Sequence, residues 1–182
     1  MNLLLRSALL VFRSRRRPKL QVHDVAVTPF RVLPSDLDVL GHMNNGVYFS
    51  IMDLGRLDLM IRAGVWKTLT ERGFYHVVTK ETISFRKSLQ PWQRFSVESR
   101  IAGYDDKAVF IEQRFVVSGE IFARAFMCGR FLKKSGGTVS MTELADALSV
   151  DTNEVTLPAW LGRWADDMVL PATRGEAPSE WN

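Results

Sequence analysis

The chain has 182 residues, 46% of them hydrophobic and 24% charged, with a formal charge of +4. That length suits one domain with its own core, and the composition excludes an intrinsically disordered chain. Part of the charge is concentrated in Arg13, Arg15, Arg16, Arg17 and Lys19, so there is no basic face or recognition helix and nucleic acid is not an expected partner.

The single cysteine, Cys128, allows no intrachain disulfide, which fits a reducing compartment. Cys128 falls in the apolar run 121–132 and is expected to be a buried core thiol.

The first twelve residues, MNLLLRSALLVF, are apolar apart from Asn2, Arg6 and Ser7. They are too few to cross a bilayer, which takes about 20. The sequence RSRRRP follows where a cleaved signal would carry small residues. Segment 1–20 therefore has two readings. In one, residues 1–17 form an amphipathic helix in peripheral contact with an anionic membrane surface. In the other, they form a helix docked on the domain or on a partner subunit. The expected location is cytoplasmic, with membrane association under the first reading.

The domain proper is expected over 21–150. Residues 24–33 partly alternate and predict a first strand, placed by Pro29 at a sheet edge or a bend. A loop with Asp, Asn and Gly turn chemistry follows, over 34–46. From Val47 to Ala63 the period becomes helical. Apolar residues cover most of the surface, and Asp53, Arg56, Asp58 and Arg62 form a narrow polar strip. A helix of that kind is normally buried. Asn44 and Asn45 are its candidate caps and Gly64 its terminator. A short helix over 66–72 ends at Gly73.

Long strands over 76–89, 92–101, 109–117 and 121–133, linked by tight turns, predict an antiparallel meander. Ser140 and Glu143 form a capping box that opens a helix to about Leu148. The last segment, 151–182, reads as a short helix over 159–168 and a loose tail from Ala172. A sheet covers a helix that is apolar nearly all round only by curling about it. The expected fold is therefore α+β: a hotdog fold, with a curled antiparallel sheet of about five strands wrapped around a long central helix.

The loop before that helix carries the chemistry. A helix N-terminus offers unpaired N–H groups and a partial positive charge, which suits the oxyanion of an attacked thioester carbonyl. Asp38 is placed to attack that carbonyl or to take a proton from water.

The loop, D-x-D-x-x-G-H-M-N-N-x-x-Y over 36–48, resembles the signature of the 4-hydroxybenzoyl-CoA thioesterase family of hotdog proteins. The stretches RVLPSDLD and GYDDKAVFIEQRF look closest to its thioesterase superfamily member 6-type branch. The resemblance covers roughly 25–148. It implies an acyl-CoA substrate, no cofactor, and a homodimer whose CoA sites are each built from two chains; a dimer of dimers stays open. The family's catalytic aspartate falls on Asp38. Its oxyanion amide falls on Asn45, with Gly46 beside it. Some members carry histidine or tyrosine where this chain has Asn45, which leaves open whether the Asn45 side chain handles protons. Tyr48 matches the motif's tyrosine, expected near the acyl pocket. Arg86 and Lys87 are the candidates for the CoA phosphates. His42 and Asn44 complete the set of candidate substrate-binding residues.

Each of these residues also has a structural reading. Asp36 and Asp38 suit turns, His42 suits pinning its own loop, and Asn44 and Asn45 suit capping. Asp53 and Arg56 suit an i, i+3 ion pair, and Arg86 and Lys87 suit a solvated surface. His23 and His76 have no ligand partners at metal spacing, so no metal site is expected. Two other functions use the same fold. Acyl dehydratases resemble a His-Phe-Pro loop, which is lacking here. A non-catalytic acyl or lipid binder at a membrane surface has no use for Asp38.

Overall fold

The computed structural model describes residues 3–171 and 175–179; residues 172–174 and 180–182 of the expected tail lie outside them. Five antiparallel strands form one sheet: β1 (Ala26–Arg31), β2 (Phe74–Phe85), β3 (Arg94–Tyr104), β4 (Val109–Val117) and β5 (Glu120–Lys133). Their spatial order is β1-β3-β4-β5-β2, so β1 and β2 are the two edges. The helices are α1 (Leu3–Ser14), α2 (Asn45–Arg62), α3 (Val65–Arg72), α4 (Met141–Leu148) and α5 (Ala159–Asp167). The curled sheet with its central α2 is the hotdog architecture expected from the sequence.

Local chemistry accounts for the turns. Ser118 and Gly119 both adopt positive φ, 49° and 84°, the geometry of a two-residue hairpin whose twist matches its strands. At the β3–β4 turn, Asp105 Oδ1 accepts hydrogen bonds from the amides of Lys107 and Ala108, each at 2.7 Å. Ser140 Oγ accepts from the Glu143 amide and caps α4, as expected.

Some boundaries move, for identifiable reasons. The strand expected to reach Leu89 stops at Phe85, because the amides of Arg86 and Lys87 both turn onto the Phe122 carbonyl. The next strand starts at Arg94, not Trp92, since Trp92 has φ 63°. α2 starts two residues before Val47, because Asn44 is its cap.

α2 lies directly on the sheet. Tyr48, Ile51, Met52 and Leu54 pack with Val97, Phe115, Ala123 and Ala125 in the central core. A Cβ on Gly55 would lie 2.9 Å from both Gln113 Nε2 and Val97 Cγ1, so only glycine permits this approach. The polar strip on α2 is mostly buried too: Arg56, Asp58 and Arg62 are inside. Asp58 accepts from Ser14 Oγ at 2.6 Å, Thr28 Oγ1 at 2.9 Å, Arg17 Nη1 at 2.9 Å and Arg62 Nη1 at 3.2 Å. The helix therefore carries its own ion pairs into the core, which meets the requirement that a buried charge be paired.

Both flanking segments pack on the domain. Leu10 of α1 joins the central core. Leu161 and Ala165 of α5 pack on the outer face of the sheet against Phe110, Phe126 and Cys128, and Cys128 is the buried thiol expected. The buried Glu112 carboxylate holds Arg100, Arg114 and Arg124.

Candidate active site

The loop over 36–44 closes on itself through its backbone. The Asp38 amide donates to the His42 carbonyl at 2.9 Å, and the Asn44 amide donates to the Asp36 carbonyl at 2.8 Å. Leu37 and Met43 form a single antiparallel bridge, which makes the loop a miniature hairpin ending at α2. Asp38 sits at its turn. Its Oδ1 accepts from the amides of Leu40, at 2.9 Å, and His42, at 3.3 Å. The carboxylate is thereby oriented by one oxygen, and Oδ2 makes no hydrogen bond among the described residues.

The His42 backbone, not its ring, pins the loop. Asp36 has a different fate from Asp38. It is 1% exposed, accepts from the Leu33 amide at 2.9 Å, and pairs with Arg6 Nη2 at 2.7 Å. It caps its turn, as the structural reading has it, and also anchors α1.

At the start of α2, Asn44 Oδ1 accepts from the Gly46 amide at 2.8 Å. The Asn44 carbonyl accepts from the Val47 amide. The Gly46 amide is thus occupied by the cap. The Asn45 amide has no acceptor among the described residues, and Asn45 is exposed. Asn44 and not Asn45 is the cap.

Tyr48 is 1% exposed, between Phe85 and Phe115 at ring-centroid distances of 5.0 and 4.8 Å. Its hydroxyl accepts from the Leu89 amide, and burial pushes its pKa up. It ties the 86–89 corner to the helix start. Through that tie, Arg86 and Lys87 come to the same end of the sheet as the loop. They are salt-bridged rather than merely solvated: both pair with Glu120, Lys87 Nζ at 2.8 Å. Two cations on one carboxylate leave a net positive charge there.

Sequence reasoning missed a second polar cluster, half-way along α2. Arg56 forms the expected ion pair with Asp53. Arg56 Nη1 also donates to Gln113 Oε1 at 2.8 Å and lies 2.8 Å from Glu81 Oε1, an ion-pair distance without hydrogen-bond alignment. Nearby, His76 Nε2 is buried without a partner, and burial, then Arg56, lowers the His76 pKa. Burial raises the Glu81 pKa against the opposing pull of Arg56. Glu81 and His76 lie on a strand far along the chain from Arg56, so spacing carries no trace of the cluster.

Arg56 and His76 also border an interior cavity of about 50 Å³, lined by aliphatic residues such as Leu59, Ile111 and Leu144. It lies under the second half of α2, away from Asp38. Among the described residues no group of three or more His, Cys, Asp or Glu side chains could hold a metal ion. No described helix is long and apolar enough to cross a membrane.

The family described as thioesterase-like superfamily matches residues 32–165. Protein THEM6 of Xenopus laevis is 35% identical over 130 residues, 69% of this chain and 61% of that protein, so the chain spans under two thirds of that relative's length. Among solved structures, the YbaW probable thioesterase of Escherichia coli superposes with a TM-score of 0.63 at 20% identity, covering 68% of this chain and 96% of that one. The DHNA-CoA thioesterase of Staphylococcus aureus superposes with a TM-score of 0.61 at 14% identity, covering 81% and 97%. These two likenesses establish the shared fold.

Proposed function

The chain belongs to the thioesterase-like superfamily, and from that premise we propose that it is an acyl-CoA thioesterase, converting a CoA thioester and water to a free acid and CoA. The observation that carries this reading is one short hairpin that presents an oriented carboxylate, Asp38, and ends at a helix start whose Asn45 amide has no acceptor. In this reaction the thioester carbonyl oxygen accepts from the Asn45 amide, where the α2 dipole also favours negative charge. Asp38 either takes a proton from the attacking water or attacks the carbonyl itself, giving an anhydride that water then opens. The C–S bond breaks and the CoA sulfur leaves as a thiolate, which is protonated. Gly46 supports the site by fixing the cap rather than by donating to substrate. Asn44 holds that cap, His42 holds Asp38, and Tyr48 holds the corner that bears Arg86 and Lys87. These two cations attract the CoA phosphates.

The proposed working unit is a homodimer. β2 is a twelve-residue edge strand, and an edge strand of this length is a template for another strand. Tyr75, Val78 and Phe85 are exposed along it. Two-fold antiparallel pairing of β2 sets the Phe74 end of one copy beside the Phe85 end of the other. The groove lined by Trp66, Phe74, Tyr75 and His76 then faces the α2 start of the second copy, giving that site the wall it lacks in one chain.

A panel of CoA esters run on the wild type and on Asp38→Asn tests this reading, with CoA release followed by a thiol reagent. Asparagine keeps the Oδ1 acceptor, so the loop stays formed while release falls by about a thousandfold. Full release by the variant would overturn the mechanism. Binding of CoA esters by the wild type without any release would favour the non-catalytic acyl binder.

A further inference from the structure

A groove not connected with Asp38 lies between α1 and β1, with a volume of about 320 Å³. This is the size at which small-molecule sites begin. Its apolar walls come from Leu5, Leu9, Phe30 and Leu33, and Leu9 is 46% exposed. The cations along it differ in their commitments. Arg17 is used by Asp58 and by the Val27 carbonyl, and Arg6 pairs with Asp36. Arg13, at the mouth, makes no ion pair among the described residues. Arg31 spends Nε on the Trp92 carbonyl at 2.9 Å, and its terminal nitrogens make no hydrogen bond among the described residues.

We infer that this groove is a second ligand site, which takes a single-chain amphiphile with an anionic head: the chain against Leu5, Leu9, Phe30 and Leu33, the head between Arg13 and Arg31. An apolar trough lined by the unpaired guanidinium of Arg13 and the free terminal nitrogens of Arg31 matches an alkyl chain ending in a carboxylate, since burial of the chain drives binding and a guanidinium binds carboxylate through paired N–H donors. Phe30 and Leu33 are only partly exposed, between helix and strand, so a thin single chain reaches them where a flat lipid surface meets the outward residues Leu4, Leu5, Leu9 and Phe12. β1 is the sheet edge opposite β2, so pairing of two copies through β2 leaves the groove open. The site is separate from Asp38 and stands whether or not the chain hydrolyses thioesters.

Equilibrium dialysis of the full chain against radiolabelled dodecanoate, kept below its micelle concentration, tests the inference. The wild type and Asp38→Asn are expected to bind it equally, and dodecanol more weakly. The double variant Arg13→Glu, Arg31→Glu is expected to bind dodecanoate at least about tenfold more weakly with its far-ultraviolet circular dichroism unchanged, since both side chains are at the surface. A diazirine-bearing fatty acid should label peptides from residues 5–33. Four results would overturn the inference: dodecanoate binding that ignores the double variant, binding lost in Asp38→Asn, labelling confined to other peptides, or binding only to phosphatidylserine vesicles and not to monomeric dodecanoate.

Discussion

Arg6 Nη2 donates to Asp36 Oδ2 at 2.7 Å, and this pair joins α1 to the loop that bears Asp38 two residues later. Asp36 is 1% exposed and its Oδ1 already lacks a partner. Arg6→Ala would leave a buried carboxylate without its counter-ion, at a cost of about 3 kcal/mol. Urea denaturation measures this, and Arg6→Lys should recover part of it. If the alanine variant unfolds at the wild-type midpoint, α1 does not hold the loop.

His76 sets a pH dependence. Its folded pKa lies below the ordinary value, first because of burial and then because of Arg56. The unfolded chain therefore binds the proton more readily, and stability falls as pH drops below about 6.5 towards the folded pKa. His76→Phe removes the imidazole and should flatten the stability profile between about pH 5 and 7 relative to wild type. Melting temperatures across that range decide it, and an unchanged slope would assign the pH dependence elsewhere.

Gly55 reports how closely α2 approaches the sheet. Gly55→Ala would place a methyl 2.9 Å from Gln113 Nε2 and Val97 Cγ1 and 3.0 Å from Ser99 Oγ. Despite alanine's better helix propensity, the substitution should destabilise by about 1–3 kcal/mol. A rise in the melting temperature would show that the helix can lift off without penalty.

The β2 edge makes a prediction for assembly. A lysine on an edge strand opposes pairing, so Val78→Lys should shift sedimentation from two chains to one. If the proposed site needs a partner's wall, CoA release should fall with dimerisation. A fully active monomer would remove the second chain from the reaction.

Much of the architecture was legible in the sequence because it rests on short-range periodicity. The 3.6-residue pattern over Val47–Ala63 and the turns at Ser118-Gly119 and Asp105 mark the helix and the hairpins by themselves. The expectations failed where a distant group captured the backbone. Phe122 ends β2 by accepting from the amides of Arg86 and Lys87, and no local signal records that.

The candidate site divides in the same way. The sequence alone placed Asp38 and the α2 start in one loop, because thirteen consecutive residues bring them together whatever the rest of the chain does. Only the tertiary structure decided that Asp36 belongs to Arg6 and that Tyr48 turns into the core. It alone brought Arg56, Glu81, His76 and Gln113 together and opened the groove between α1 and β1. The reason is physical: residue spacing fixes contacts within one turn or hairpin, whereas the partner of a buried charge is chosen by the packing of elements far apart in the chain.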